Sequence, residues 1–351
     1  MSYKSFFITT LSLLLFVLVA FSAATVIVDP FFHYHAPLSS LAYPINNQRY
    51  QNDGILRNFD YDSVITGTSM TENFSVSQWD TLFDAKTVKV SLSGSYLKET
   101  ADRLDTAFAS NDHIKYVVRS LDFYSLTADK DTVSDFEYPA HLYDNNVFND
   151  VKYMLNKSVF FNRTCQVIVN TLNGGTTTDF DAAFNWSDNF LYGKQPVLER
   201  YYRCEKSDTV YNSFDDQKQT IKENVEQNVI RLATEHPETE FYLFYPPYSI
   251  ITWDSWNQAG DLPKNVEIMR YVSELLLGYE NIHLYSFNDD FDTICNLDNY
   301  KDLEHYGDWI NEDILENMKN RKGLITKENI DLHFDSLKSF YSDYHYDAIF
   351  N

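Results

Sequence analysis

Short apolar, β-branched stretches alternate with amphipathic ones from residue 62 onward, and this rhythm constrains the fold more than any other feature of the chain. Strand-like segments fall at 63–66, 88–92, 116–120, 241–245 and 282–285. Runs this short and apolar suit strands covered on both faces, as in a parallel sheet packed between helices. Residues 74–83 separate the first pair of segments. Between the second pair, Leu97, Ala101, Leu104 and Phe108 recur at helical spacing over 97–110. Ile221, Val225, Val229 and Leu232 share one face of a helix over 217–236, and 266–278 reads as another, closed by Gly278 as a C-cap. The alternation predicts an α/β protein with a doubly wound parallel sheet flanked by helices. Residues 129–216 break it with a long, aromatic and polar helical insertion, most helical over 148–169. Residues 311–351 read as terminal helices.

Two short motifs carry chemistry. The first is DSVITGTSMTENF, residues 62–74, where a strand ends abruptly in Gly67-Thr68-Ser69 and a helix is expected from Thr71. A serine at such a turn lies at the carboxyl edge of the sheet, where α/β folds bind ligands. Its own backbone N–H, at a helix start, points toward any oxyanion formed there. The competing reading is that Gly67 supplies a tight turn and Ser69 caps the helix. The second is Asp302-Leu303-Glu304-His305. A serine nucleophile needs a base, and the base an orienting carboxylate. On a helical turn, Asp302 and His305 would share a face, so His305 takes the Ser69 proton while Asp302 fixes the imidazole tautomer. The alternative is a surface histidine beside acidic residues.

Gly67-Thr68-Ser69 after the first strand, together with the late Asp302-x-x-His305, resembles the SGNH (GDSL-type) hydrolase superfamily. Within it the chain is most similar to membrane-anchored DltD-like proteins, which work beside membrane-bound O-acyltransferases in bacterial envelopes. The resemblance covers residues 62–308 and the amino-terminal anchor. It implies a three-layer, flavodoxin-like sheet, Ser69 as nucleophile, His305 as base, Asp302 as its partner, and no cofactor. It also implies an oxyanion donor from a glycine after the second strand, matched by Gly94 in VKVSLSGSY. Many superfamily members place an asparagine donor after the third strand. Here that place holds Asp122, and an ionised carboxylate cannot donate a hydrogen bond. Beside Asp122, candidate substrate contacts are Tyr248, in the Pro246–Ser249 stretch after the fourth strand, and Arg49, upstream of the nucleophile in what otherwise reads as an ordinary extended segment. The implied activity is acyl transfer or ester hydrolysis on an envelope polymer such as teichoic acid or exopolysaccharide, with a membrane-bound O-acyltransferase as partner. A non-catalytic anchored scaffold for that partner is the alternative.

The formal net charge of −23 and pI near 4.6 exclude a chain that tracks a phosphate backbone, so nucleic acid is not an expected partner. The same charge is repelled by anionic headgroups, which leaves membrane attachment to residues 6–28, an uncharged apolar run long enough to span a bilayer. Lys4 before it places the amino terminus inside and everything else outside; small residues near its end also fit a cleaved signal peptide. The expected organisation is an anchor over 1–28, a connector over 29–58 and a catalytic domain over 59–351. His33 and His35 in the connector read as packing residues. Of Cys165, Cys204 and Cys295, the first two are the nearest pair for a disulfide, and free thiols are the other option. No C-x-x-C occurs, no histidine stands at metal-ligand spacing from a cysteine, and the alternating His33 and His35 lack a carboxylate partner, so no metal is expected.

Overall fold

The computed structural model describes residues 2–144 and 146–350. The chain forms two compact units, Met1–Asp60 with Phe136–Phe184, and Tyr61–Asp135 with Asn185–Asn351.

The second unit contains the sheet. Its strands are β1 (Ser63–Thr66), β2 (Thr87–Lys89), β3 (Tyr116–Ser120), β4 (Glu240–Tyr245) and β5 (Ile282–Ser286), all parallel, in the order β2-β1-β3-β4-β5. Val64, Ile65, Val117, Val118, Leu243 and Leu284 are wholly buried, as the uninterrupted apolar runs require for a sheet covered on both sides. The expected three-layer, flavodoxin-like α/β architecture is therefore present. From β1 the chain winds first to β2 and then back past β1 to β3. The crevice beyond the carboxyl ends of β1 and β3 is thus the topological switch point, where doubly wound sheets bind ligands. Ser69 follows β1 and Asp122 follows β3.

β2 is shorter than expected, yet pairing continues past it. Val90 N–H donates to Ile65 C=O at 2.9 Å and Leu92 N–H to Gly67 C=O at 2.8 Å. Leu97–Ser110 is a helix with the expected bounds. The segment over 217–236 runs as Lys218–Val225, a π-helical turn at Glu226–Ile230, and Arg231–Glu235. Leu262–Leu276 starts earlier than expected because Pro263 fits a first turn, and it ends with Leu277 rather than Gly278 at its cap. The carboxyl-terminal segment supplies the helices Asp308–Lys319 and Ile330–Asp343. Arg119 of β3 is buried and ties the sheet to two helical segments that pack on each other on one of its faces. It donates to Asn228 C=O at 2.7 Å, Leu97 C=O at 2.8 Å and Thr100 Oγ1 at 2.6 Å. Burial depresses its guanidinium to about 9, with Asp105 and Asp122 opposing.

In the first unit, Tyr3–Val28 is one helix, long and apolar enough to cross a membrane. It stops at Asp29, which has φ 46° and is followed by Pro30. The buried Asp29 carboxylate then accepts the backbone N–H groups of His33, Tyr34 and His35 at 3.0, 2.7 and 3.0 Å and the Tyr153 hydroxyl at 2.8 Å. The connector contains a helix, Gln48–Asn58, where an extended segment is expected; Gln51–Leu56 are buried in it. Residues 136–184 of the insertion belong to this unit, and 185–216 to the sheet unit. The helical part of the insertion is broken into Val151–Met154, Lys157–Val159, a π-helical turn at Phe160–Thr164, and Cys165–Leu172. All three cysteines are free, so Cys165 and Cys204 do not pair.

Candidate active site

Ser69 begins a single 3₁₀ turn, Ser69–Thr71, not the longer helix its sequence suggests; the α-helix starts at Val76 with Ser75 as its cap. Thr68 performs the capping that Ser69 was a candidate for: Thr68 Oγ1 accepts the Met70 N–H at 3.3 Å. The Ser69 hydroxyl is thereby left for other work. The turn requires Gly67. Its φ is +139°, and a Cβ there would lie 2.4 Å from Ser120 Oγ. Three contacts fix the segment beyond. Buried Lys89 of β2 donates to Glu72 C=O at 2.6 Å and Phe74 C=O at 3.0 Å. Thr71 and Ser91 hydroxyls pair at 2.7 Å. Asn311 Nδ2 donates to Met70 C=O at 3.2 Å.

His305 and Asp302 do not share a helical turn. They lie in a tight loop bracketed by a Tyr300–Tyr306 bridge and closed by Lys301 N–H to His305 C=O at 3.0 Å. The D-x-x-H spacing works here because the Asp302 carboxylate folds back on its own loop, accepting the Glu304 and His305 N–H groups at 3.0 and 2.9 Å. From across the sheet edge, Ser249 Oγ, Thr252 Oγ1 and Ser249 N–H all donate to Leu303 C=O, at 2.6, 2.8 and 3.1 Å. The stretch after β4 therefore grips the middle of the loop.

The two motifs meet. Ser69 Oγ lies 2.7 Å from His305 Nε2, and His305 Nδ1 lies 2.9 and 3.0 Å from the two Asp302 carboxylate oxygens. Burial pushes the Asp302 carboxyl up, but the hydrogen bond and charge of His305 and the two backbone N–H groups outweigh it, and it titrates at about 2. Asp302 is thus ionised at neutral pH and selects the tautomer with the proton on Nδ1. Nε2 is left as acceptor for the Ser69 proton. A serine, imidazole and carboxylate in this relay can generate a nucleophilic alkoxide and later return the proton to a leaving group.

Among the described residues, neither the Ser69 N–H nor the Gly94 N–H bonds to another protein group. Gly94 sits in the turn Leu92–Ser95, closed by Ser95 N–H to Leu92 C=O at 3.1 Å, with φ +67°. The Leu92–Gly67 bond places that turn at the same sheet edge as Ser69.

Asp122 and Tyr248, expected to touch substrate, are both buried and bonded to each other. The Tyr248 hydroxyl donates to Asp122 Oδ1 at 3.0 Å, and Ser120 Oγ donates to Oδ2 at 2.7 Å while receiving the Thr68 N–H at 3.4 Å. What this network holds is the underside of the Gly67–Ser69 turn. Burial raises the Asp122 carboxyl, against the pull of the Ser120, Thr68 and Tyr248 hydroxyls. Arg49 belongs to the other compact unit, on the Gln48–Asn58 helix, with its guanidinium 4.1 Å from the Phe136 ring centre.

Three neighbours were not singled out from sequence. Trp186 stands edge-on to His305, ring centres 5.5 Å apart, and its backbone N–H donates to the buried Asn73 Oδ1 at 3.0 Å. Lys301 is buried with its ammonium 3.4 Å from the Trp186 ring centre and 3.8 Å from that of Phe190; burial lowers its pKa, with Asp302 and Glu72 opposing. Glu304 is raised by burial and by the charges of Asp122 and Asp302, against that of His305. Lys301 and Glu304 flank the D-x-x-H motif and were discoverable there. Trp186 lies in the insertion, where nothing local marks it. Among the described residues no group of three or more His, Cys, Asp or Glu side chains is arranged to hold a metal ion.

No family model matches the chain, and no curated protein matches it. One similar solved structure is a chain from Streptococcus pneumonia provisionally assigned as a platelet activating factor. It is 12% identical, with a TM-score of 0.37, covering 78% of this chain and 90% of that one.

Proposed function

We propose that this protein is an exported, membrane-anchored serine acyl-transfer enzyme, an SGNH-type esterase or O-acyltransferase of the DltD-like kind. The observation that carries the reading is the continuous Ser69–His305–Asp302 hydrogen-bonded relay at the switch point of the sheet. Ser69 Oγ attacks an acyl carbonyl while His305 Nε2 accepts its proton and Asp302 balances the imidazolium. The Ser69 and Gly94 N–H groups receive the oxyanion, an effect of roughly 3 kcal/mol per donor in serine hydrolases. Collapse expels the leaving group, which takes the proton from Nε2, and the acyl group remains as an ester on Ser69. A water or sugar hydroxyl then loses its proton to His305 and attacks that ester, restoring the serine. A span at Tyr3–Val28 holds the site near a membrane acyl donor, such as one handled by a membrane-bound O-acyltransferase, and raises its effective concentration for an envelope-polymer acceptor.

The second reading is an anchored scaffold for such a partner. It is favoured by Asp122, whose buried carboxyl accepts hydroxyls where an asparagine would donate to the oxyanion. Labelling of the detergent-solubilised full chain with a serine-reactive fluorophosphonate separates the two. The enzyme reading expects adduct on Ser69 in the wild type and none in Ser69→Ala or His305→Ala. A folded wild type that takes no label points to the scaffold.

A further inference from the structure

The first compact unit carries an apolar surface next to the span. The carboxyl-terminal part of the Tyr3–Val28 helix is covered by the insertion: Phe21 stacks on Phe160 at 4.2 Å and meets Phe161 edge-on at 6.1 Å. Cover begins there: Tyr3–Ala20 is bare, whereas Thr25 and Val28 are buried, with Ala23 and Ile27 left exposed on the other side. The bare part rises about 27 Å, at about 1.5 Å per residue, and the hydrocarbon core of a bilayer is about 30 Å thick. With Lys4 at the inner headgroups, a span that fills the core brings Phe21, and with it Phe160 and Phe161, into the outer part of that core.

From Phe21 to the end of the helix, where Asp150 and Tyr153 bond to residues 29–34, the insertion does not look like a water-facing surface. Phe161 is 58% exposed and Phe148 89% exposed, and Val151 and Leu155 are exposed as well. The Val151–Met154 helix that carries the first of these aliphatic residues also packs on the span. Charge changes sign here too. In a chain of net charge −23, residues 148–163 contain Lys152, Lys157 and Arg163 against one acid, Asp150, which is buried and bonded to His33 and Tyr34. Apolar side chains interleaved with basic ones, with no exposed acid among them, are the composition of a segment lying in a headgroup layer.

From this we infer that the insertion segment around residues 148–163 is a membrane-interface platform: Phe148, Val151, Leu155 and Phe161 enter the outer headgroup and upper acyl region, with Lys152 and Lys157 at the phosphates. The occupant of this apolar surface is lipid. Its continuity with the span, and the depth the span imposes, argue for that choice. The expectation that the acidic chain is repelled by anionic lipid then holds for the whole and reverses locally. The platform gives the first unit a second attachment to the membrane. The inference rests on Tyr3–Val28 being an uncleaved membrane span.

The test is nitroxide accessibility in the full chain with Cys165, Cys204 and Cys295 replaced by serine, reconstituted in phosphatidylcholine–phosphatidylglycerol vesicles. Single cysteines replace Leu14, Phe148, Phe161 and Glu205. The ratio of oxygen to nickel-chelate accessibility is expected to be highest at position 14, intermediate and several-fold above the aqueous Glu205 position at 148 and 161, and lowest at 205. Position 14 deep with 148 and 161 matching 205 overturns the platform and leaves the anchor standing. Position 14 matching 205 removes the anchor and the platform together. Phe161→Trp in the otherwise unaltered chain guards against misfolding of the cysteine-free protein. Lipid brominated near its carbonyls should quench the added tryptophan, and an unquenched increment overturns the inference.

Discussion

Replacing Asp302 with asparagine separates what the carboxylate does for the fold from what it does for the relay. Its carboxyl ordinarily titrates at 3.8 and here at about 2, so folding favours the charged form by about 2.5 kcal/mol. A depressed acid contributes stability that is fully present above its unfolded pKa and lost as the pH falls through the folded one. Asp302→Asn should therefore lower the urea-unfolding free energy at pH 7 by up to about 2.5 kcal/mol. The gap to wild type should shrink below about pH 4 and close toward about pH 2. Part of the cost is spared, because an amide oxygen still accepts the Glu304 and His305 N–H groups. On the proposed enzyme reading, the loss in the transition state is larger. Charge develops on an imidazole whose Nδ1 is 2.9 Å from Asp302, with both side chains about one-fifth exposed. The asparagine also permits the wrong tautomer. In serine hydrolases the equivalent change costs about 10⁴ in rate, or about 5.5 kcal/mol. The fluorophosphonate second-order labelling rate, measured beside urea unfolding on the same samples, reads both. A variant that loses stability but labels within about tenfold of wild type would refute Asp302 as the orienting group and leave it a loop-forming residue.

Gly67→Ala sets a Cβ 2.4 Å from Ser120 Oγ at φ +139°, and should cost roughly 2–4 kcal/mol in urea unfolding while removing most labelling, because Ser69 lies two residues on; unchanged stability would show that the turn is not held as described. Tyr248→Phe withdraws a hydroxyl from buried Asp122 and should lower stability by about 1–3 kcal/mol with less than a tenfold effect on labelling. A much larger loss of labelling than of stability would return Tyr248 to the substrate-contacting role its position first suggested. Lys301→Met keeps the packing against Trp186 and Phe190 and removes the cation, an expected loss of about 1–2 kcal/mol by thermal or urea unfolding, and no loss would mean that the aromatic faces contribute nothing to holding the ammonium.

The comparison of chain and structure divides along a physical line. Short uninterrupted apolar runs and patterns that repeat every 3.6 residues were readable without coordinates. Four of the five strands and the helix over 97–110 fell where apolar spacing placed them, the second strand overlapped its expected place only at residues 88–89, and the uncharged run over 6–28 declared its own helix. Elements whose form depends on distant partners were not readable. The connector helix Gln48–Asn58 was hidden because half of its buried residues, Gln51, Asn52 and Asp53, are polar. The three-residue turn at Ser69 was mistaken for a longer helix because its length is set by Lys89, Asn311 and Ser91, from elsewhere in the chain.

The site divides in the same way. The sequence by itself determined that a serine would stand after the first strand, at the carboxyl edge of a parallel sheet, and that Asp302 and His305 were near enough in the chain to meet. Both follow from local geometry: a glycine able to take positive φ, and a carboxylate able to reach N–H groups two and three residues on. Only the tertiary structure decided that Ser69 Oγ and His305 Nε2, 236 residues apart, lie 2.7 Å from each other. It alone turned Asp122 and Tyr248 inward, under the turn instead of into the cleft. Those outcomes depend on the order in which strands pair and on which polar groups are left to satisfy one another once buried. No local pattern encodes either, because both are decided by closing long loops around a common core.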